Sequence, residues 1–292
     1  MFGIARKPDP APAPAKGPVL DLSGPKLRRA FENLIESADP TGGIERYVTA
    51  LALKAALFEE LLGEAKLPEM EQQDFLDLAA FVTPARRRVS AWLAENAFWE
   101  MRGRLMALMD GAEDVQTADQ RIASFVASFP RDKAHRWVRD LAAEVLHFTA
   151  PGRYPLMTRW IWDQKVSTGS LREIWFADDP DSAKIEVGDD YRAFRALNDE
   201  LEEFLKEQGV FRDLPFYVDL LLAHVYSAYI NDRGGQYLRS EFANPGDPMT
   251  HTRRMLGLDA VDTETGRTRL KLIDGSAHVI GTQKALPPQE TH

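Results

Sequence analysis

FYVDLLLAHVYSAYI, running from Phe216 to Ile230, is the stretch that decides the fold. Read as a helix, it is apolar on every face except at Asp219, His224 and Ser227 and at the hydroxyls of Tyr217, Tyr226 and Tyr229. A helix apolar all round has to be buried on all sides, and this run is shorter than the roughly 20 apolar residues that a membrane span requires. It predicts the centre of a large helical core.

Helical periodicity continues on both sides of this centre. Tyr191, Phe194, Leu197, Leu201, Phe204 and Leu205 form one apolar stripe just upstream. Between Pro25 and Phe148 the spacing predicts six consecutive helices. The first, Pro25 to Ala38, has Ser23 as its cap, and the second covers Gly43 to Ala65. The third follows Pro68, and a long fourth runs from Thr83-Pro84 through Trp92 and Trp99 to Leu108. Thr117 and Gln120 resemble a capping box ahead of the fifth, and Lys133 to Phe148 makes the sixth. Short intervals between the segments point to antiparallel packing. Asp274-Gly275 divides RTRLKLIDGSAHVIG in the manner of a hairpin turn. The expected class is all-α, a multi-helix bundle with a small C-terminal β-hairpin.

Three regions follow from composition. Residues 1–20 read as a proline- and alanine-rich arm, MFGIARK followed by PDPAPAPAKGP, either a frayed terminus or a docking peptide on a semi-rigid spacer. Residues 21–244 read as the helical domain, with a seam at 149–190 where turn residues and three tryptophans interrupt the pattern. Residues 245–292 read as a polar C-terminal arm. With so few apolar anchors, that arm is expected to order only against a partner.

The chain has 292 residues, 44% of them hydrophobic, which is ample for a sizeable core. Its 45 acidic against 36 basic side chains give a net charge of −9, which repels nucleic acid and anionic lipid at long range. There is no cysteine, so disulfides, thiolate metal sites and cysteine nucleophiles are excluded. The start of the chain shows no secretory h-region, and a cytoplasmic location is the expectation. Phosphate-cradling glycine loops, His-Glu-x-x-His and Gly-x-Ser-x-Gly are all absent. No cofactor is expected.

Two sets of residues could still carry function. Glu144 and His147 have the i, i+3 spacing by which bundle proteins aim a carboxylate and an imidazole at one metal, but no second Glu-x-x-His accompanies them. Asp219 and His224 on the buried helix are the candidate acid and base, because a buried carboxylate needs a specific partner and burial shifts both groups toward neutrality. The second set is the Trp/Arg-rich segment 153–176, with Arg153, Tyr154, Arg159, Trp160, Trp162, Arg172 and Trp175, which are residue types enriched at protein–protein hot spots. Arg253, Arg254, Met255, Leu256 and Leu258 extend that set into the C-terminal arm. Arg86-Arg87-Arg88 reads either as an anion or acidic-partner site or as a salt-bridged helix face.

LHFTAPGRYPLMTRWIWD, about twenty residues, resembles the helix, proline-bearing loop and following helix of helix-hairpin-helix DNA glycosylases. The resemblance implies a DNA-binding helix pair and would cast Asp163 as the catalytic aspartate. The stretch departs from that family in lacking the glycine-rich hairpin and the nucleophilic lysine. Three functions stand in order: a non-catalytic accessory or adaptor protein that binds a protein partner through segment 153–176 and the C-terminal arm; an enzyme or a small-ligand or metal binder with a pocket of Glu144, His147, Asp219 and His224; and a nucleic-acid binder.

Overall fold

The computed structural model describes residues 17–177, 184–233 and 247–281. It is mainly α-helical with one small antiparallel hairpin. The PDPAPAPA stretch and MFGIARK lie outside the described residues. Helices α1 (Gly24–Ala38), α2 (Ile44–Leu62) and α3 (Gln72–Ala80) follow the apolar spacing closely. Leu27, Phe31 and Leu34 of α1 and Leu51, Phe58 and Leu61 of α2 turn into a shared core.

The long fourth helix is instead three: α4 (Thr83–Arg86), α5 (Val89–Glu95) and α6 (Phe98–Met109). The break after α5 has a local cause. Asn96 turns to an extended conformation and its side-chain amide donates to the Trp92 carbonyl at 2.9 Å, closing the helix end. As a result Trp92 is buried while Trp99, placed on the same helix by its spacing, is 66% exposed. Caps also differ from the sequence reading. Ser23 and Thr117 make no side-chain cap bond, and the Thr83 hydroxyl donates to the Arg254 carbonyl at 2.6 Å. The reciprocal capping box is at Glu71 and Asp74.

Helices α7 (Ala118–Ala127) and α8 (Trp137–Thr149) follow. Between α8 and α10 (Tyr191–Glu207) the described chain forms turns and one short helix, α9 (Ser170–Glu173). This segment is stitched into the body. Ser170 Oγ donates to the Leu222 carbonyl at 2.8 Å, Trp162 Nε1 to the Val187 carbonyl at 3.1 Å, and Leu22 bridges Trp175.

Helix α11 (Leu214–Arg233) is the predicted centre. It packs on α1, α2, α9, α10 and on α12 (Thr250–Met255), and Val218, Leu220, Leu221 and Ala223 have no exposed surface. Helix α8 is buried nearly as completely, against α2, α4 and α7. Strands β1 (Arg267–Lys271) and β2 (Ala277–Val279) form the hairpin, with Gly275 at φ 82° in its turn. Among the described residues, no helix is long and apolar enough to cross a membrane.

The C-terminal arm, 245–292, is described over residues 247–281. Its described part lies on the helical body, with Met249, Thr252, Leu256 and Leu270 buried. Polar anchors hold it where apolar ones are few. Arg86 grips Asp259 with two bonds at 2.8 and 3.1 Å, which also removes Arg86 from the triplet as an anion site. His278 bonds Asp77 at 2.7 Å, and the Gly281 amide donates to the same carboxylate. Gly257 sits at φ 72° where a Cβ would lie 1.8 Å from the Phe81 carbonyl oxygen, so only glycine permits this approach. Hydrogen exchange on the isolated chain should therefore find the amides of Arg253, Leu256, Arg269 and Leu272 protected. Exchange at the unfolded-chain rate would restore the detached arm.

Candidate functional site

Helix α8 brings Glu144 and His147 to one flank, but each meets a different partner. Glu144 Oε2 accepts from Lys54 Nζ of α2 at 2.7 Å, with both side chains buried. Lys54 Nζ also donates to the carbonyls of Leu256 at 2.9 Å and Phe81 at 3.1 Å, and lies 3.9 Å from the Phe148 ring centre. Its three N–H groups thus have three acceptors. Burial pushes the ammonium's pKa down and that of the Glu144 carboxyl up, and their mutual attraction opposes both shifts.

His147 bonds Asp219 of α11 through Nε2 at 2.7 Å and the Tyr154 carbonyl through Nδ1 at 2.7 Å. Both contacts are to oxygen atoms, so the two ring nitrogens fix the imidazole's orientation between α11 and the Tyr154 carbonyl. Such an oriented base would suit general acid–base work in the open. Here both side chains are 1% exposed. His224 lies apart from this network. Its Nε2 meets Asn33 Oδ1 at 2.8 Å and its Nδ1 meets Thr252 Oγ1 at 3.2 Å, and burial depresses its pKa to about 4. Asp219 and His224 therefore share no hydrogen-bonding partner. Among the described residues no three His, Asp or Glu side chains come together as a metal-binding group.

The proposed partner-binding residues are mostly engaged inside the molecule. Tyr154 and Trp162 are buried, and the Tyr154 hydroxyl donates to the Ala112 carbonyl at 2.7 Å while accepting from Arg121. Arg159 pairs with Asp140 at 2.7 Å, and Arg172 donates to Ser167 Oγ at 2.7 Å. Trp160 and Trp175 are half-buried against the core. Leu256 is buried, Met255 and Leu258 pack partly on the core, Arg253 pairs with Asp247, and the Arg254 carbonyl accepts from Thr83. Most of these side chains thus meet the same chain. Asp163, the aspartate of the glycosylase resemblance, accepts from the amides of Lys165 and Val166 in a turn, and turns stand where that resemblance implies a second helix.

Arg153 is exposed, and it leads to a feature that the sequence did not suggest. A cleft of about 1020 Å³ opens where α2, α6 and α8 all end. Leu62, Leu67, Met109, Ala112 and Leu146 give it an apolar floor, and Glu59, Glu64, Asp110, Glu113 and Arg153 stand around it. Arg153 donates to the Ala112 carbonyl at 3.2 Å. The C-terminal end of each helix adds roughly half a negative elementary charge to that of the carboxylates. From the cleft, exposed Met106, Gly103 and Trp99 run back along one stripe of α6. The cleft stops at Leu146, Thr149 and Tyr154 and includes neither His147 nor Asp219 in its lining.

Comparisons with protein-family models, with characterised proteins and with solved structures found no match.

Proposed function

We propose that the protein is a non-catalytic helical adaptor whose cleft takes a segment of a partner protein carrying both apolar and basic side chains. The observation that carries this reading is the cleft itself, with its apolar floor, carboxylate rim and three helix C-termini. The apolar floor favours burial of aliphatic or aromatic side chains, and the rim and the helix ends favour a cation beside them. A segment longer than the cleft would continue over Met106 and Trp99. An indole this exposed, next to an apolar groove, is a residue type that dominates binding energies. The adaptor reading is thereby kept, and its site moves from segment 153–176 and the C-terminal arm to the ends of α2, α6 and α8. The enzyme reading is weakened by the burial of His147 and Asp219.

Selection of displayed random peptides on the immobilised full chain tests it. Recovered sequences should interleave Lys or Arg with large apolar residues, and the charge reversal Asp110→Lys with Glu113→Lys should abolish their binding. Trp99→Ala should weaken binding about tenfold, roughly 1.4 kcal/mol, while stability shifts by no more than about 0.5 kcal/mol. Recovery of acidic peptides, or equal binding to the charge-reversed cleft, would refute the assignment.

A further inference from the structure

We infer that in the isolated chain the cleft is occupied by the protein's own N-terminal segment, Phe2 to Lys7, so that a partner has to displace it. This rests on the reading of the cleft as a site for an apolar, basic segment.

Three observations converge on that occupant. The first is chemistry: FGIARK places Phe2 and Ile4 beside Arg6 and Lys7, the combination that an apolar floor under carboxylates selects. Residues 1–16 contain Arg6, Lys7 and Lys16 against Asp9, a net +2, so the rest of the −9 chain carries −11 and attracts the segment. No other stretch outside the described residues puts two basic and two large apolar side chains within seven positions.

The second is where the described chain begins. Gly17 and Pro18 border a cavity of about 470 Å³ together with Val115 and Gln116. Gln116 follows Glu113 at the cleft's rim by three residues, at most ~11 Å of backbone. Gly17 is fixed there against α10, where a Cβ added to it would lie 3.1 Å from that of Ala196. The third is reach. Residues 8–16, rich in alternating proline and alanine, span ~28 Å if extended as polyproline, enough to carry the segment from Gly17 over Glu113 into the cleft. Held on such a tether, the segment competes at millimolar effective concentration, so even weak docking would suppress a partner's apparent affinity.

The chain has no cysteine, so two introduced ones report the contact without interference. Spin labels at Gly3→Cys and Ala107→Cys in the full chain should give one short-distance population, well under half of the ~43 Å reach of a free fourteen-residue extension. Arg6→Glu with Lys7→Glu, which leaves every described residue untouched, should replace it with a broad, long distribution. Asp110→Lys with Glu113→Lys should do the same. A broad distribution in the unaltered chain, or one indifferent to both reversals, would overturn the inference. Coupling seen only on mixing singly labelled chains would overturn it in favour of a second copy. A display-selected basic peptide, added last, separates the two readings. If it binds a chain whose arm never visits the cleft, this inference falls and the adaptor reading stands. If it fails to bind the Arg6→Glu, Lys7→Glu chain as well, the adaptor reading falls.

Discussion

Replacing Glu144 by alanine is expected to lower the unfolding free energy by about 3–5 kcal/mol, the usual consequence of leaving one member of a buried pair without the other. Lys54 would be left without its carboxylate partner in a site where its side chain is 1% exposed, with two carbonyls and the face of Phe148 among its remaining contacts. Removing both charges should be milder. Lys54→Met with Glu144→Leu conserves volume and leaves no ion to desolvate, so the double variant should recover a substantial part of the loss. What it does not recover belongs to the Phe81 and Leu256 carbonyls, each deprived of a buried donor at about 1–3 kcal/mol. Because the Leu256 carbonyl belongs to the C-terminal segment, that residual measures how firmly Lys54 ties this segment to α2. Urea unfolding of the two variants supplies the comparison. An unchanged midpoint for Glu144→Ala would mean that water reaches Lys54.

What could be read from the chain divides along the physical origin of each feature. The centre at α11 was legible because complete burial leaves a complete apolar surface, and the buried carboxylate of Asp219 announced a specific partner. The identity of that partner was not legible, since His147 lies 72 residues away and is chosen by how two helices cross. Apolar spacing also carried the fourth helix too far. Val89, Trp92 and Leu93 keep helical phase with later residues although the Asn96 amide closes α5, and only the extended backbone there reveals that Trp99 faces solvent.

The C-terminal segment misled in a different way. Counting apolar anchors omits Arg86 with Asp259 and Asp77 with His278, which hold it through charge and hydrogen bonds. The hot-spot composition of segment 153–176 likewise could not distinguish residues that would meet a partner from residues that meet the same chain. The cleft had no local signal. Its walls come from the ends of three helices that are neighbours only in space.

Acidification should destabilise the protein through His224, and the sign follows from its environment. Desolvation lowers the pKa of this imidazole from 6.5 to about 4, so between those values the unfolded chain takes up a proton that the folded chain refuses. The stabilisation is fully present above pH 6.5 and is lost progressively as the pH falls toward 4. Two and a half units correspond to roughly 3 kcal/mol, an upper figure for one group. The geometry accounts for the preference. The ring's Nε2 meets Asn33 Oδ1 at 2.8 Å, its Nδ1 meets Thr252 Oγ1 at 3.2 Å, and Thr252 in turn donates to Ser227 Oγ at 3.4 Å, so the groups bonded to the ring are all neutral. A second proton would put a charge between α1, α11 and α12 with no carboxylate hydrogen-bonded to the ring. His251, whose pKa burial also lowers, shifts stability in the same direction and does so in any variant. His224→Gln isolates the effect, because glutamine can still donate to Asn33 but does not titrate. Between pH 7 and 4 the unaltered protein should lose about 3 kcal/mol more stability than the glutamine variant, measured by urea unfolding across that range. Parallel pH profiles would show that His224 is protonated within the fold, and that the contact with α12 loosens to admit water before the molecule unfolds.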